Sequence, residues 1–328
     1  MKRDVSVDIA KGLGIILVVW GHTFNACPIR NWIYLFHMPL FFFVAGFFMK
    51  KEEEDAVFLY KKVRTLLIPF LFFYGCSLAI KVLLKYHSTG DWTFLTFSKF
   101  YTLSNINYPL WFIVCLFFTV IIFHFFYKLK YSYIGFILLA IIGAVLFRFQ
   151  ISLPLYLSQA FVVSLLLYMG KLCYSAKNRI KTLLILSLIT LPFFVYSGIT
   201  KVKIDLGALT MNCNFILFLF SCLGGISLTC LLSILLAKTK LSGTMSTLGR
   251  YSLFIFGLHA NNRFLDPVVI KLTNLFNDVP PSMIHENIGY GIIKTIICVL
   301  FFLVIGIILK KIFPFFFGYS PDDKILAK

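Results

Sequence analysis

The sequence predicts an all-α protein: a polytopic membrane helix bundle in one domain over residues 1–328, with both termini cytoplasmic. Three observations carry that prediction. First, 60% of the 328 residues are hydrophobic and only 13% are charged, with a mean hydropathy of +0.91. A soluble domain lies nearer half apolar and a quarter charged. Second, apolar runs long enough to cross a bilayer recur about ten times along the chain. Third, the basic residues collect in alternate gaps between those runs, as the positive-inside rule requires of a multi-pass protein.

Each run has a local reason. The first, at 8–25, has Trp20, Gly21 and His22 where a secretory signal would need small residues for cleavage, so it reads as a mature helix. The second, at 32–49, follows after a short link, which makes the two helices neighbours. The third, at 65–86, is preceded by Lys61, Lys62 and Arg64 and carries Pro69 near its start. Runs at 109–127, 131–148 and 154–170 follow, the last two separated only by "RFQISLP". The remaining four are expected at 180–197, 213–237, 250–270 and 288–312. With a cytoplasmic N-terminus, twenty-one Lys and Arg fall inside and eight outside, while Lys81 and Lys294 fall within spans. The pieces at 87–108 and 271–287 are too short to fold alone. The acidic "EEED" at 52–55 reads as a solvated face between two helices.

The formal net charge of +18 resembles that of a nucleic-acid binder. However, the basic residues lie in short inter-helix gaps, where they set topology and meet anionic lipid. Membrane lipid, and no nucleic acid, is therefore the expected partner. The eight cysteines, Cys27 among them, form no CxxC pair and sit mostly in apolar runs as small hydrophobes.

Candidate chemistry begins in "KGLGIILVVWGH", residues 11–22. Eleven residues at 3.6 per turn place Lys11 and His22 on one face, about 16 Å apart along the axis. Asp8, three residues before Lys11, shares that stripe. Lys11 alone is open to a simple account, snorkelling to the interface with Asp8 as partner. Alignment of a carboxylate, a cation and an imidazole inside a membrane favours function. His37 enters the second helix near the same depth as His22. Two imidazoles there suit general-base work on a hydroxyl, or metal binding. No third ligand has companion spacing, so no metal is expected. Lys61 and Arg64 read either as topology signals or as a cytoplasmic phosphate site.

Together, "VDIAKGLGIILVVWGH", "FHMPLFFFVAGFF", "YKKVRTLLIPF", "YPLWFIVCLFF" and "LGRYSLFIFGLH" resemble the acyltransferase 3 family, the integral membrane O-acyltransferases of bacterial surface glycans. The resemblance covers nearly the whole chain and is to the short, fucose 4-O-acetylase-like form. It implies that the transmembrane domain acts without the extracytoplasmic hydrolase-like domain many members carry. The family's basic residue and histidine, ten positions between them, match Lys11 and His22. Its basic pair in the third helix matches Lys61 and Arg64. Lysine stands where arginine is common at both first positions, which removes a bidentate phosphate fork.

On that resemblance the expected activity is transfer of an acyl group, acetyl above others, from cytoplasmic acetyl-CoA to a hydroxyl of an exported or lipid-linked glycan. The acceptor partner is then a glycan or lipid-linked saccharide, and the expected location is the cell inner (plasma) membrane. His22 is the expected base, His37 its assistant in orientation or proton relay, and Asp8 the holder of Lys11. Lys11, Lys61 and Arg64 would bind the CoA phosphates. Trp111, Arg148, Ser252 and His259 are placed on the acceptor side. Two other functions suit ten helices with buried polar groups: a small-solute transporter and a lipid-linked glycan flippase. The transporter reading lacks paired interrupted helices. The flippase reading lacks a large charged outer loop.

Overall fold

The computed structural model describes residues 4–23, 29–51, 54–96, 98–275 and 287–317. Cys27 and the first two acids of the 52–55 run lie outside them. The chain folds into an all-α bundle of a multi-pass membrane protein. Among the described residues, seven helices are long and apolar enough to cross a membrane. They begin with α1 (Val5–Thr23) and the unit Asp55–Thr89. Within that unit α3 (Asp55–Lys62) passes through a single π turn (Val63–Leu67) into α4 (Ile68–Thr89). A short α5 (Leu103–Ile106) precedes α6 (Trp111–Tyr127). The other long ones contain or form α8 (Leu157–Ser175), α9 (Arg179–Ile199), α10 (Phe215–Leu236) and α14 (Ile288–Ile312).

The remaining expected runs take two different forms. α2 (Arg30–Gly46) and α7 (Ser132–Arg148) are helices of 17 residues each. The run expected at 250–270 is not one helix. It divides into α11 (Ser242–Arg250), α12 (Ser252–Leu258), a 3₁₀ stretch at His259–Leu265 and α13 (Asp266–Asn274). The sequence "HANNRFLDP" explains the break. Polar side chains offer the backbone other partners, and the Asn262 amide donates to the His259 carbonyl at 2.8 Å. Pro267 then starts α13 from its first turn. A second departure from all-α lies between α9 and α10, where β1 (Ile204–Asp205) pairs antiparallel with β2 (Thr210–Met211).

α1 occupies the centre, packed against α2, α10, α11, α12 and α14. Gly249 makes the α11 contact possible, since a Cβ there would overlap the Asp8 carbonyl. The long helices cross side by side, which brings alternate helix ends together. At one end, Arg179 bonds Asp4, Lys310 lies over Tyr251 and Lys11 over Phe48. Both ends of the described chain therefore reach this terminal end of the bundle. At the other, the histidine end, His22 meets Tyr34 and His259, and Thr23 bonds Thr295 at 2.9 Å. Outward faces of α7 and α9 expose aliphatic side chains such as Ile141, Leu184 and Leu188, as a lipid-facing surface does.

Candidate active site at the histidine end

His22 stands in the last turn of α1. Its ring centroid is 5.2 Å from that of His259 and 6.1 Å from that of Tyr34. Tyr34 in turn lies 4.8 Å from the ring of His37. Two of these histidines are oriented by backbone carbonyls. His37 Nδ1 is 2.9 Å from the Ile33 oxygen and His259 Nδ1 is 2.7 Å from the Phe256 oxygen. A carbonyl only accepts, so both Nδ1 atoms carry the proton, and in the neutral form each ring keeps its Nε2 lone pair for another partner. His259 Nε2 is buried with no hydrogen-bond partner among the described residues.

Two cavities meet at His22. The smaller, of about 40 Å³, is lined by His22, Tyr34, His37, Trp111, Asp205 and Phe256, among others. The larger, of about 590 Å³, is lined by His22, His259, Asn107 and the polar 3₁₀ stretch. This accounts for the broken helix. Irregular backbone is tolerated at membrane depth where it lines a hydrated cavity.

Asp205 reaches the smaller cavity through the β1–β2 hairpin. The Tyr108 hydroxyl donates to it at 3.4 Å and the Ala208 N–H at 3.0 Å. Gly207 is needed at the tip, because a Cβ would come within 2.5 Å of the Tyr108 oxygen and 2.6 Å of Trp111 Nε1. The Gln159 amide donates to the Gly207 carbonyl at 3.2 Å and holds the tip down.

At the terminal end, Lys11 Nζ pairs with Asp8 at 2.9 Å, and the Asp8 carboxylate is buried. From Lys11 an apolar groove of about 230 Å³ runs past Leu66, Ser252 and Phe112 to Phe256. Phe256 also borders the smaller cavity, and it meets Phe112 edge-on at 5.3 Å. An aromatic pair thus separates the groove from His22.

The structure gathers His22, His37, Trp111 and His259 at one site. Two expected residues lie apart from this site. Ser252 lines the groove beside Lys11 and neither of the histidine cavities. Seven residues of helix lift the chain about 10 Å, so Ser252 and His259 lie at different levels. Arg148 is exposed on a separate cavity of about 270 Å³ with Asn214 and does not line either histidine cavity. Asp8 contacts Lys11, as expected of the residue that holds it, and lies more than three helical turns from His22. Lys61 is exposed, and Arg64, in the π turn, is buried. The 52–55 run is also more than a solvated face: Asp55 bonds Lys128 and, at 2.7 Å, His124.

The sequence pattern does not single out Asp205, Tyr108 or Asn107. Each sits in an inter-helix segment with no periodicity to orient it. Their one signal is polarity within otherwise apolar surroundings, as in "KIDLGAL".

A family profile described as "Acyltransferase domain" matches residues 4–312. The chain belongs to the acyltransferase 3 family. Among curated proteins, it is similar to Nodulation protein NolL of Sinorhizobium fredii, 33% identical over 103 residues. It is also similar to Nodulation protein NolL of Mesorhizobium japonicum, 34% identical over 93 residues. Those matches cover 27% and 24% of this chain and 28% and 24% of the two relatives, so the likeness spans about a quarter of each. No solved structure matches. Among the described residues no group of three His, Cys, Asp or Glu is placed to hold a metal ion.

Proposed function

We propose that the protein is a membrane O-acetyltransferase that takes acetyl-CoA from the cytoplasm and esterifies a hydroxyl of an exported or lipid-linked glycan. One observation carries the reading. His22 stands where two cavities meet, and the same helix carries Lys11 at the mouth of a groove leading toward it. The excess of Lys and Arg in one set of gaps supports a cytoplasmic terminal end, as in a protein of the inner membrane. Lys11, Lys61 and Arg64 then bind the CoA phosphates. The pantetheine arm lies in the apolar groove, and the thioester passes Phe112 and Phe256. The helical rise of about 16 Å between Lys11 and His22 is comparable with the arm's length.

His22 accepts the proton of the glycan hydroxyl as its oxygen attacks the thioester carbonyl carbon. The carbon–sulfur bond breaks, and the thiolate takes the proton from the imidazolium to leave as CoA-SH. The products are the acetyl ester and free CoA. Asp205, facing the same small cavity, stabilises the transient imidazolium. His37 and His259, held through Nδ1, offer Nε2 atoms that orient the hydroxyl. The volume of about 40 Å³ at His22 favours a small acyl group. Asp205 there disfavours an acyl group carrying its own carboxylate, such as succinyl.

Sealed vesicles of known orientation test the reading. With labelled acetyl-CoA outside at the terminal face, extracted envelope glycan enclosed within should gain label. If turnover needs both substrates on one face, the through-membrane route is wrong.

A further inference from the structure

The larger cavity has a charge pattern that acetyl transfer to a neutral sugar does not require. Its lining holds three cations, Lys81, Arg263 and Lys294, and one acid, Asp266. Lys294 and Asp266 satisfy each other at 2.7 Å, and the Tyr290 hydroxyl donates to the same carboxylate oxygen at 3.0 Å. Lys81 and Arg263 form no ion pair with any described residue, so among the described residues two positive charges of the cavity are left uncompensated. They come from different helical segments, the outer half of α4 and the broken stretch after α12, and converge on one space.

A second observation concerns its buried wall. Asn107 is 2% exposed, and its amide nitrogen donates to the Gly257 carbonyl at 2.8 Å and to Ser77 Oγ at 2.9 Å. The carbonyl partner decides the amide orientation, because only the nitrogen can donate to it. Asn107 Oδ1 is left buried without a hydrogen-bond partner among the described residues, as is His259 Nε2. Both acceptors belong to residues that line the cavity, so a small side-chain rotation would offer each to a ligand hydroxyl.

We infer that the acceptor is an anionic saccharide, its hydroxyls received by Asn107 and His259 and its carboxylate or phosphate bound by Lys81 and Arg263. This rests on the acyltransferase reading and adds the substrate class. His22 borders the same cavity, so the anion sits on the sugar being acylated or on its neighbour. The Arg263 guanidinium suits either a carboxylate or a phosphate, through paired N–H donors.

The test uses the purified full-length protein in phosphatidylcholine nanodiscs, with ligand binding followed by tryptophan fluorescence. Three probes are compared: a disaccharide bearing glucuronate, one ending in a sugar 1-phosphate, and their neutral glucose counterpart. At least one anionic probe should bind roughly tenfold more tightly than the neutral one, as charge-assisted hydrogen bonds do. The Lys81→Gln/Arg263→Gln variant should lose that preference, and Lys81→Arg/Arg263→Lys should restore it, with acetyl-CoA affinity unchanged throughout. Equal binding of the neutral probe, no binding of any probe, or a preference that survives the Gln variant overturns the inference. So does loss of the preference when phosphatidylglycerol is added to the discs, since the cations would then serve a lipid headgroup. Acetyl-CoA hydrolysis dependent on His22 is measured separately. Its absence alongside an intact anion preference would sink the acyltransferase reading and leave the saccharide site standing.

Discussion

The two ends of the bundle treat charge in opposite ways. At the terminal end Lys11 meets Asp8, Arg179 meets Asp4, and Asp55 meets Lys128 and His124. Helix backbones also touch there, at Gly249 and Asp8. At the histidine end Lys81 and Arg263 are left without ion pairs among the described residues. Buried acceptors there lack donors, and the backbone breaks around a cavity of about 590 Å³. An uncompensated polar group in low dielectric is costly, so a protein keeps one mainly where a ligand completes it. The terminal end pairs Lys11, Arg179 and Asp55 within the fold, and the histidine end leaves Lys81 and Arg263 facing a cavity.

The sharpest way to break that contrast is His22→Ala. Removal of a general base costs about 10²–10⁴-fold in rate. Labelled acetyl transfer by the folded, inserted variant should fall within that range, while acetyl-CoA affinity stays near wild type. Transfer at an undiminished rate would strip the histidine end of its chemistry.

Phe256 belongs to both regions, so replacing it tests whether they communicate. Phe256→Leu should widen the passage and raise the ratio of butyryl to acetyl transfer roughly tenfold, the scale of methylene discrimination in an apolar pocket. An unchanged ratio in competition assays would mean that the acyl group takes another path.

Lys11→Met separates ligand binding from structure at the terminal end. Loss of a phosphate contact should raise the KM for acetyl-CoA by roughly tenfold, on the scale of charge-assisted hydrogen bonds. The buried Asp8 carboxylate would also lose its ion pair with Lys11, which lowers the Tm. Adding Asp8→Asn should recover Tm without recovering KM. If both recover together, Lys11 is structural alone.

The smallest effect is expected at Asp4. Partial burial alone would raise its pKa, but hydrogen bonds from Ser6 and Arg179 outweigh that and hold it below the ordinary carboxylate value. A lowered folded-state pKa gives stability that is present above the unfolded value and lost as pH falls through the folded one. The Tm gap between wild type and Arg179→Gln should therefore be constant above about pH 5 and close at lower pH. The corresponding stability difference should be about 1 kcal/mol or less, since both side chains keep contact with solvent. A gap independent of pH would assign Arg179 to packing over the Tyr174 ring instead.

What could be read from sequence alone is local in origin. Asp8, Lys11 and His22 share a stripe because helical periodicity relates them, and the apolar runs announced the bundle because hydrocarbon demands such lengths. Helix ends, gap charges and the entry of His37 beside His22 follow from neighbours in the chain. The partners of those residues do not. Asn107 finds its carbonyl 150 positions away, His259 reaches His22 from the far part of the chain, and Asp205 arrives on a hairpin. Ser252 and Arg148 have the right polarity and the wrong place, because composition assigns a residue to the membrane without saying which cavity it borders. Periodicity orients a side chain about its own helix. The space it faces is set by how the other helices pack around α1, and that belongs to the tertiary structure.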